Sequence, residues 1–116
     1  LIAVACAVQL AWLGTSGLRE LALRCARATR YTRESLLALE GVEPLVGAPT
    51  LREFAVRLPA DPAVVVDRMA GEGFLAGVAL GGAGADYGTG LLVAATERRT
   101  RAEIDAYVAA MDKVLR

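Results

Sequence analysis

The first thirteen residues, LIAVACAVQLAWL, contain a single polar side chain, Gln9. An apolar run of this length is too short to span a bilayer as a helix, which takes about 20 residues. It matches the length of a signal-peptide core, but no basic residues precede it. We therefore expect residues 1–14 to form a helix that is buried on most sides and broken by Gly14, with a trimmed signal or membrane segment as the alternative.

The composition limits the classes of protein to which the chain can belong. The chain has 116 residues, which fits one domain, and 55% of them are hydrophobic, which rules out a disordered chain. Its 13 basic residues balance 13 acidic ones, so no basic excess is available for nucleic acid. There is no His, which removes His-based acid–base catalysis and most zinc sites. The chain starts at Leu1 rather than Met, so we expect a piece of a longer, cytoplasmic protein.

A second helix is predicted after Gly14, capped by Thr15 or Ser16 and running from about Gly17 to Leu39. Apolar or small side chains recur there at every third or fourth position and form one stripe. Opposite charges four residues apart on the remaining faces should form ion pairs, at Glu20 with Arg24 and at Arg30 with Glu34.

The chain after Gly41 reads as strands and short helices. A short edge strand is predicted around Pro44. Alternation predicts a strand at Glu53–Leu58, with Phe54, Val56 and Leu58 on one face. Phe74–Ala76 should be a short extended piece, and the apolar run Leu91–Ala95 is typical of a central strand that is buried on both faces.

Two further helices have recognisable ends. Asp61 followed by Pro62 starts a helix that Gly71 and Gly73 close. Thr100 and Glu103 have the spacing of a capping box, which starts a C-terminal helix. This order of elements predicts an α+β (broadly α/β) domain, with a three- or four-stranded, mostly antiparallel sheet and helices packed on one face.

Most residues that could carry chemistry have a simpler structural interpretation. The Gly-rich loop 80–88 lacks the spacing and lysine of a phosphate-binding loop. Lys113, the only lysine, falls on the solvent side of the last helix, whereas a Schiff-base lysine needs a desolvated pocket. Cys6 and Cys25 lie on apolar helix faces, where free Cys is commonly a small buried hydrophobe. We expect no catalytic, cofactor-binding or metal-binding residue in this chain.

The turn after the last strand is the best candidate for a site. Thr96, Glu97 and Arg98 follow the buried strand and precede the capped helix. Side chains in loops held by a rigid scaffold often carry function. We expect these three residues to lie at the edge of an active-site cleft.

Several segments together resemble one family, the P-proteins of the glycine cleavage system, and in particular the separately encoded first subunit. The resemblance covers nearly the whole chain and is carried by residues 1–14 with 17–20, 52–59 (REFAVRLP), 73–81 (GFLAGVALG) and 91–100 with 103–105.

The resemblance implies the C-terminal small domain of a fold-type-I pyridoxal-phosphate enzyme, residues 15–116, with residues 1–14 left from a helix of the larger domain. The family decarboxylates glycine and passes the aminomethyl group to the lipoyl arm of the H-protein. Pyridoxal phosphate would be held by the second subunit of an expected heterotetramer, so the piece alone would be inactive. It would have no nucleic-acid or membrane partner, and would self-associate through residues 1–13.

Two other interpretations stay open. The chain could be the small domain of another fold-type-I enzyme, such as a cysteine desulfurase or decarboxylase. Alternatively, it could be a stand-alone α+β module that binds a small molecule or regulates another protein, in which case the apolar residues 1–13 would have to be covered within the domain.

Overall fold

The computed structural model describes all 116 residues as three helices and one four-stranded sheet. The sheet order is β1-β2-β4-β3, and every neighbouring pair of strands is antiparallel. This confirms the predicted α+β class. The elements are α1 (Ile2–Leu37), β1 (Glu43–Pro44), β2 (Glu53–Arg57), α2 (Pro62–Gly71), β3 (Val78–Ala79), β4 (Gly90–Ala94) and α3 (Arg101–Leu115).

The two helices predicted at the N-terminus form one kinked helix, α1. Gly14 has a φ of 60° and a ψ of −174°, which breaks the helical geometry at the predicted position. A side chain would strain this backbone, whereas glycine tolerates it. The helix resumes at once, so Thr15 and Ser16 lie inside it and neither side chain forms a capping hydrogen bond. The predicted cap was therefore wrong.

The core lies between the helices and one face of the sheet. Phe54 of β2 lies opposite Val93 of β4, and Val56 lies opposite Leu91. All four are buried, as the alternation in β2 predicted. The helices cover this face with four buried side chains, Leu36, Met69, Met111 and Val114.

Strand β4 is central, but it is not buried on both faces as predicted. Leu92 is only half-buried and Ala94 is exposed. Both residues point away from the helices because alternate residues of a strand face opposite sides. The helices cover one face only, which leaves the outer side of an apolar strand partly open to water.

Strand β3 lies two residues beyond the predicted extended piece, at Val78–Ala79 instead of Phe74–Ala76. Gly77 lies directly before Val78, the first residue of β3 that pairs with β4. Its φ is 145°, and a Cβ at this position would overlap the carbonyl oxygen of Leu92. The close approach of the two backbones therefore determines where β3 begins. The local sequence pattern does not determine it.

The N-terminal part of α1 is not buried within this chain. No residue before Cys25 is buried, and Trp12 has a relative exposure of 86%. Burial of residues 1–14 against another part of a longer protein stays a prediction. By length and composition alone, α1 is also a helix that could cross a membrane.

Candidate functional site

The turn between β4 and α3 is fixed to the middle of α1 by two hydrogen bonds. The buried Thr29 hydroxyl donates to the carbonyl oxygen of Ala95 at 3.0 Å. The Cys25 thiol donates to Oε2 of Glu97 at 3.1 Å. The residues predicted to form a site therefore lie against the helix rather than in a free surface loop.

The turn itself brings Thr96, Glu97 and Arg98 together. The backbone N–H of Arg98 donates to the Thr96 hydroxyl at 3.4 Å, and that of Arg99 donates to the Thr96 carbonyl at 3.1 Å. Thr96 and Glu97 are half-buried, and Arg98 is exposed. The predicted capping box follows directly, with the Thr100 hydroxyl accepting from the Glu103 N–H at 3.2 Å. Whether the three residues border an active site stays a prediction.

The surroundings of Glu97 keep its carboxyl group ionised. The hydrogen bond from the Cys25 thiol is the largest cause of a lowered pKa, followed by a hydrogen bond from the backbone N–H of Glu97 itself. The positive charges of Arg52 and Arg98 lower the pKa further. A carboxylate with a lowered pKa holds no proton at neutral pH, so Glu97 is not suited to act as a general acid.

Sequence reasoning missed three neighbours of this turn. The Tyr31 hydroxyl donates to Oδ1 of Asp105 at 2.5 Å, and the guanidinium of Arg101 lies 4.4 Å from the centre of the Tyr31 ring. These contacts join α1 to the start of α3, and Tyr31 and Arg101 also line a shallow cleft of about 270 Å³. The partners are 70 or more positions apart, so no local pattern in the sequence could have indicated them.

A second cleft, of about 600 Å³, lies along the edge of β4 beside β3. Its wall includes Phe74 and Tyr107, whose rings meet edge to face at 5.9 Å. The Tyr107 hydroxyl donates to the Ala76 carbonyl at 2.8 Å, and burial raises the pKa of Tyr107 well above its ordinary value. A phenol that stays protonated and bonded to the backbone holds the wall together and is not available as a base.

The chain offers little that could hold a cofactor or metal. Lys113 is exposed and pairs with Glu72 at 2.7 Å, so it lacks the desolvated pocket of a Schiff-base lysine. The Gly-rich loop folds into two exposed 3₁₀ turns, whose N–H groups at Ala83, Tyr87 and Gly88 bond to the loop's own carbonyls instead of forming a phosphate cradle. No group of three or more Cys, Asp or Glu side chains is placed to bind a metal ion.

Comparison with known proteins gave matches over nearly the whole chain. No protein-family model matches it. The probable glycine dehydrogenase (decarboxylating) subunit 1 of Moorella thermoacetica is 42% identical over 115 residues, which are 99% of this chain and 26% of the relative. The corresponding proteins of Chlorobium limicola and Aeropyrum pernix are each 40% identical, over 96% and 99% of this chain and 24% and 25% of their own lengths.

A solved structure agrees with the sequence relatives. The crystal structure of glycine decarboxylase (P-protein) of the glycine cleavage system, in inhibitor-bound form, superposes with a TM-score of 0.84 and 36% identity. The match covers 94% of this chain and 24% of that one. The likeness extends to the order and pairing of the elements, because a TM-score this high requires the same topology.

The fold thus defines a small α+β domain that superposes on about a quarter of a glycine decarboxylase (P-protein) structure. Over nearly its whole length the chain is similar to part of the P-protein of the glycine cleavage system, and its sequence relatives are named probable glycine dehydrogenase (decarboxylating) subunit 1. It spans about a quarter of the length of the relatives it matches.

Proposed function

We propose that this chain is the C-terminal small domain of a P-protein first subunit, and that residues 1–14 pack against the larger domain of that subunit. The observation that carries the proposal is the extent of the match, which covers 99% of this chain but only 26% of the relative from Moorella thermoacetica. A domain of this kind closes one side of an active-site cleft that other parts of the enzyme complete.

The reaction of the whole complex is the decarboxylation of glycine, with transfer of the aminomethyl group to the lipoyl arm of the H-protein. Pyridoxal phosphate would supply the electron sink for that step. The residues of this chain do not fit that cofactor, because the single lysine is exposed and ion-paired and the Gly-rich loop uses its own N–H groups. We therefore place cofactor binding outside this chain and, as the family resemblance implies, in the second subunit of a cytoplasmic heterotetramer.

An exchange experiment tests the domain assignment. The matching quarter of the Moorella thermoacetica subunit 1 is replaced by this chain, and the chimaera is combined with the second subunit and H-protein. Release of carbon dioxide from carboxyl-labelled glycine is measured. We expect activity from the chimaera and none from the subunit that lacks the segment. The assignment is wrong if this chain alone forms an aldimine with pyridoxal phosphate and turns over glycine.

The turn after β4 is the part of the chain that we place nearest the cleft. The support is that Thr96 and Glu97 are half-buried and held against α1, while Arg98 extends from the same turn into solvent. In the chimaeric complex, Arg98→Ala should reduce decarboxylation or the use of H-protein. Arg57→Ala is the matched control because Arg57 is an exposed arginine elsewhere on the sheet. Unchanged kinetics for the Arg98 variant would remove this residue from the site.

A further inference from the structure

The zero net charge of the chain hides an uneven distribution. Segments 19–33 and 98–101 together contain eight of the twelve arginines and a single acidic residue, Glu20. The first segment belongs to α1, and the second comprises the end of the turn and the first residue of α3. They are separated by more than 60 positions in sequence, so only the fold can combine their charges.

The fold does combine them. The bond between Cys25 and Glu97 and the contact of Arg101 with the Tyr31 ring hold the turn against α1. Between the two segments lies the cleft of about 270 Å³, whose lining includes four arginines, Arg24, Arg27, Arg99 and Arg101. We call these four residues the arginine cleft.

Not all of this charge is neutralised within the chain. Arg24 pairs with Glu20 at 2.7 Å, and Arg99 approaches Glu103 at 3.5 Å. Arg27 and Arg101 form no salt bridge, and both are exposed. Arg101 is held over an aromatic ring, so its guanidinium is already ordered before any ligand arrives.

Glu97 also lines the cleft and decides which anion suits it. Its carboxylate is ionised, because the Cys25 thiol and nearby arginines lower its pKa. A fixed negative charge opposes a phosphate group, with its charge of about −1.5 to −2, more than a carboxylate with a single charge. Guanidinium groups bind carboxylates and phosphates alike in a two-point geometry, so the charge of Glu97 carries the preference for a carboxylate.

We propose that the arginine cleft is a docking surface for an acidic segment of a partner protein, whose carboxylates bind Arg27 and Arg101. This proposal rests on the charges of the cleft and not on the glycine-converting function proposed above, although Glu97 belongs both to the cleft and to the turn that we place at the active-site edge. The positive electrostatic potential of the cleft would raise the rate of association with the acidic segment, and salt would screen this attraction.

The test measures binding of a fluorescein-labelled octaglutamate peptide to the full 116-residue chain by fluorescence anisotropy. The chain is kept at a concentration where light scattering shows a single species. We expect Arg27→Gln combined with Arg101→Gln to weaken binding roughly tenfold. The matched control is Arg57→Gln combined with Arg116→Gln, which removes the same charge outside the cleft and should weaken binding much less.

A third variant keeps the test independent of the first. Glu97→Gln removes the opposing charge, so it should tighten peptide binding severalfold. Circular dichroism must show the same helix content for all variants. Equal weakening by both arginine pairs, or no response to Glu97→Gln, would overturn the proposal. So would tighter binding of an eight-nucleotide single strand than of the peptide, since that result would indicate a phosphate site instead.

Discussion

Residues 1–24 and residues 25–116 differ in what they do with their apolar side chains. All 20 buried residues lie at or after Cys25, although the first thirteen positions form the most apolar stretch of the chain. An apolar stretch of sequence therefore indicates that its surface will be buried. It does not show whether the same chain or another molecule buries it. Exposed patches of this kind mark interaction sites in soluble proteins.

The overall dimensions show the same contrast. The radius of gyration is 15.8 Å and the longest dimension is 46 Å, against 31 Å and 28 Å in the other directions. A compact chain of this length has a radius of gyration of about 13 Å. The excess fits a helix whose part before Cys25 has no buried residue and extends beside a packed body, as expected if residues 1–14 belong with another domain.

The largest expected effect concerns the oligomeric state. Water-exposed apolar surface favours association, so we expect the isolated chain to self-associate through residues 1–13. Replacing Ile2, Val4 and Val8 with Gln should give a monomer, with little loss of helix because Gln is a good helix former. Light scattering as a function of protein concentration measures the change.

The matched control removes three exposed apolar residues from the other region, with Leu51, Val64 and Leu75 changed to Gln. This variant should still associate. If the unmodified chain were a monodisperse monomer, the stand-alone module would be favoured over a piece of a larger enzyme. If it bound lipid vesicles instead, α1 would be a membrane helix.

The second-largest expected effect is a difference in stability between the two regions when a leucine in each is changed to alanine. Leu36 is fully buried and Leu10 is exposed. In the monomeric background, Leu36→Ala should lower the free energy of unfolding by about 2–5 kcal/mol. Leu10→Ala should change it by no more than about 0.5 kcal/mol. Urea denaturation measures both values, and equal losses would mean that the first region is packed within the chain after all.

These regions also show which parts of the structure could be predicted from sequence. The capping box at Thr100 and the inward face of β2 follow from residues a few positions apart, and both were predicted. The position of β3 depends on how closely Gly77 approaches Leu92, and the bond between Cys25 and Glu97 joins residues 72 positions apart. Such contacts arise from packing, so the turn could be identified but its partners could not.

A smaller effect tests the backbone contact that sets β3. In Gly77→Ala the new Cβ would meet the carbonyl oxygen of Leu92, at a φ that side chains rarely adopt. We expect a loss of about 1–3 kcal/mol in the free energy of unfolding. Gly71→Ala is the control, because Gly71 ends α2 with open space around it and should cause no loss. A tolerated Gly77→Ala would mean that β3 can shift away from β4 without cost.

The smallest expected effect is the pH dependence of the bond that holds the turn to α1. The folded-state pKa of Glu97 lies below its ordinary value of 4.5. A carboxyl group with a lowered pKa stabilises the fold above its unfolded-state pKa, and this contribution is lost as the pH falls through the folded-state pKa. The difference in unfolding free energy between the unmodified chain and Glu97→Gln should therefore stay constant above about pH 5 and shrink below it.

The Cys25 thiol should account for much of that difference, because its hydrogen bond is the largest cause of the lowered pKa of Glu97. Cys25→Ala removes the donor and should make the later Glu97→Gln change less pH-dependent, whereas Cys25→Ser retains a donor and should preserve the dependence. Glu20 and Glu103 also have lowered pKa values, but they steepen the acid response of all variants alike. A difference that stayed the same from about pH 7 to about pH 3 would show that Glu97 is not held by these partners. The turn that we place at the cleft edge would then be held against α1 by the Thr29 hydrogen bond and the contact of Arg101 with the Tyr31 ring.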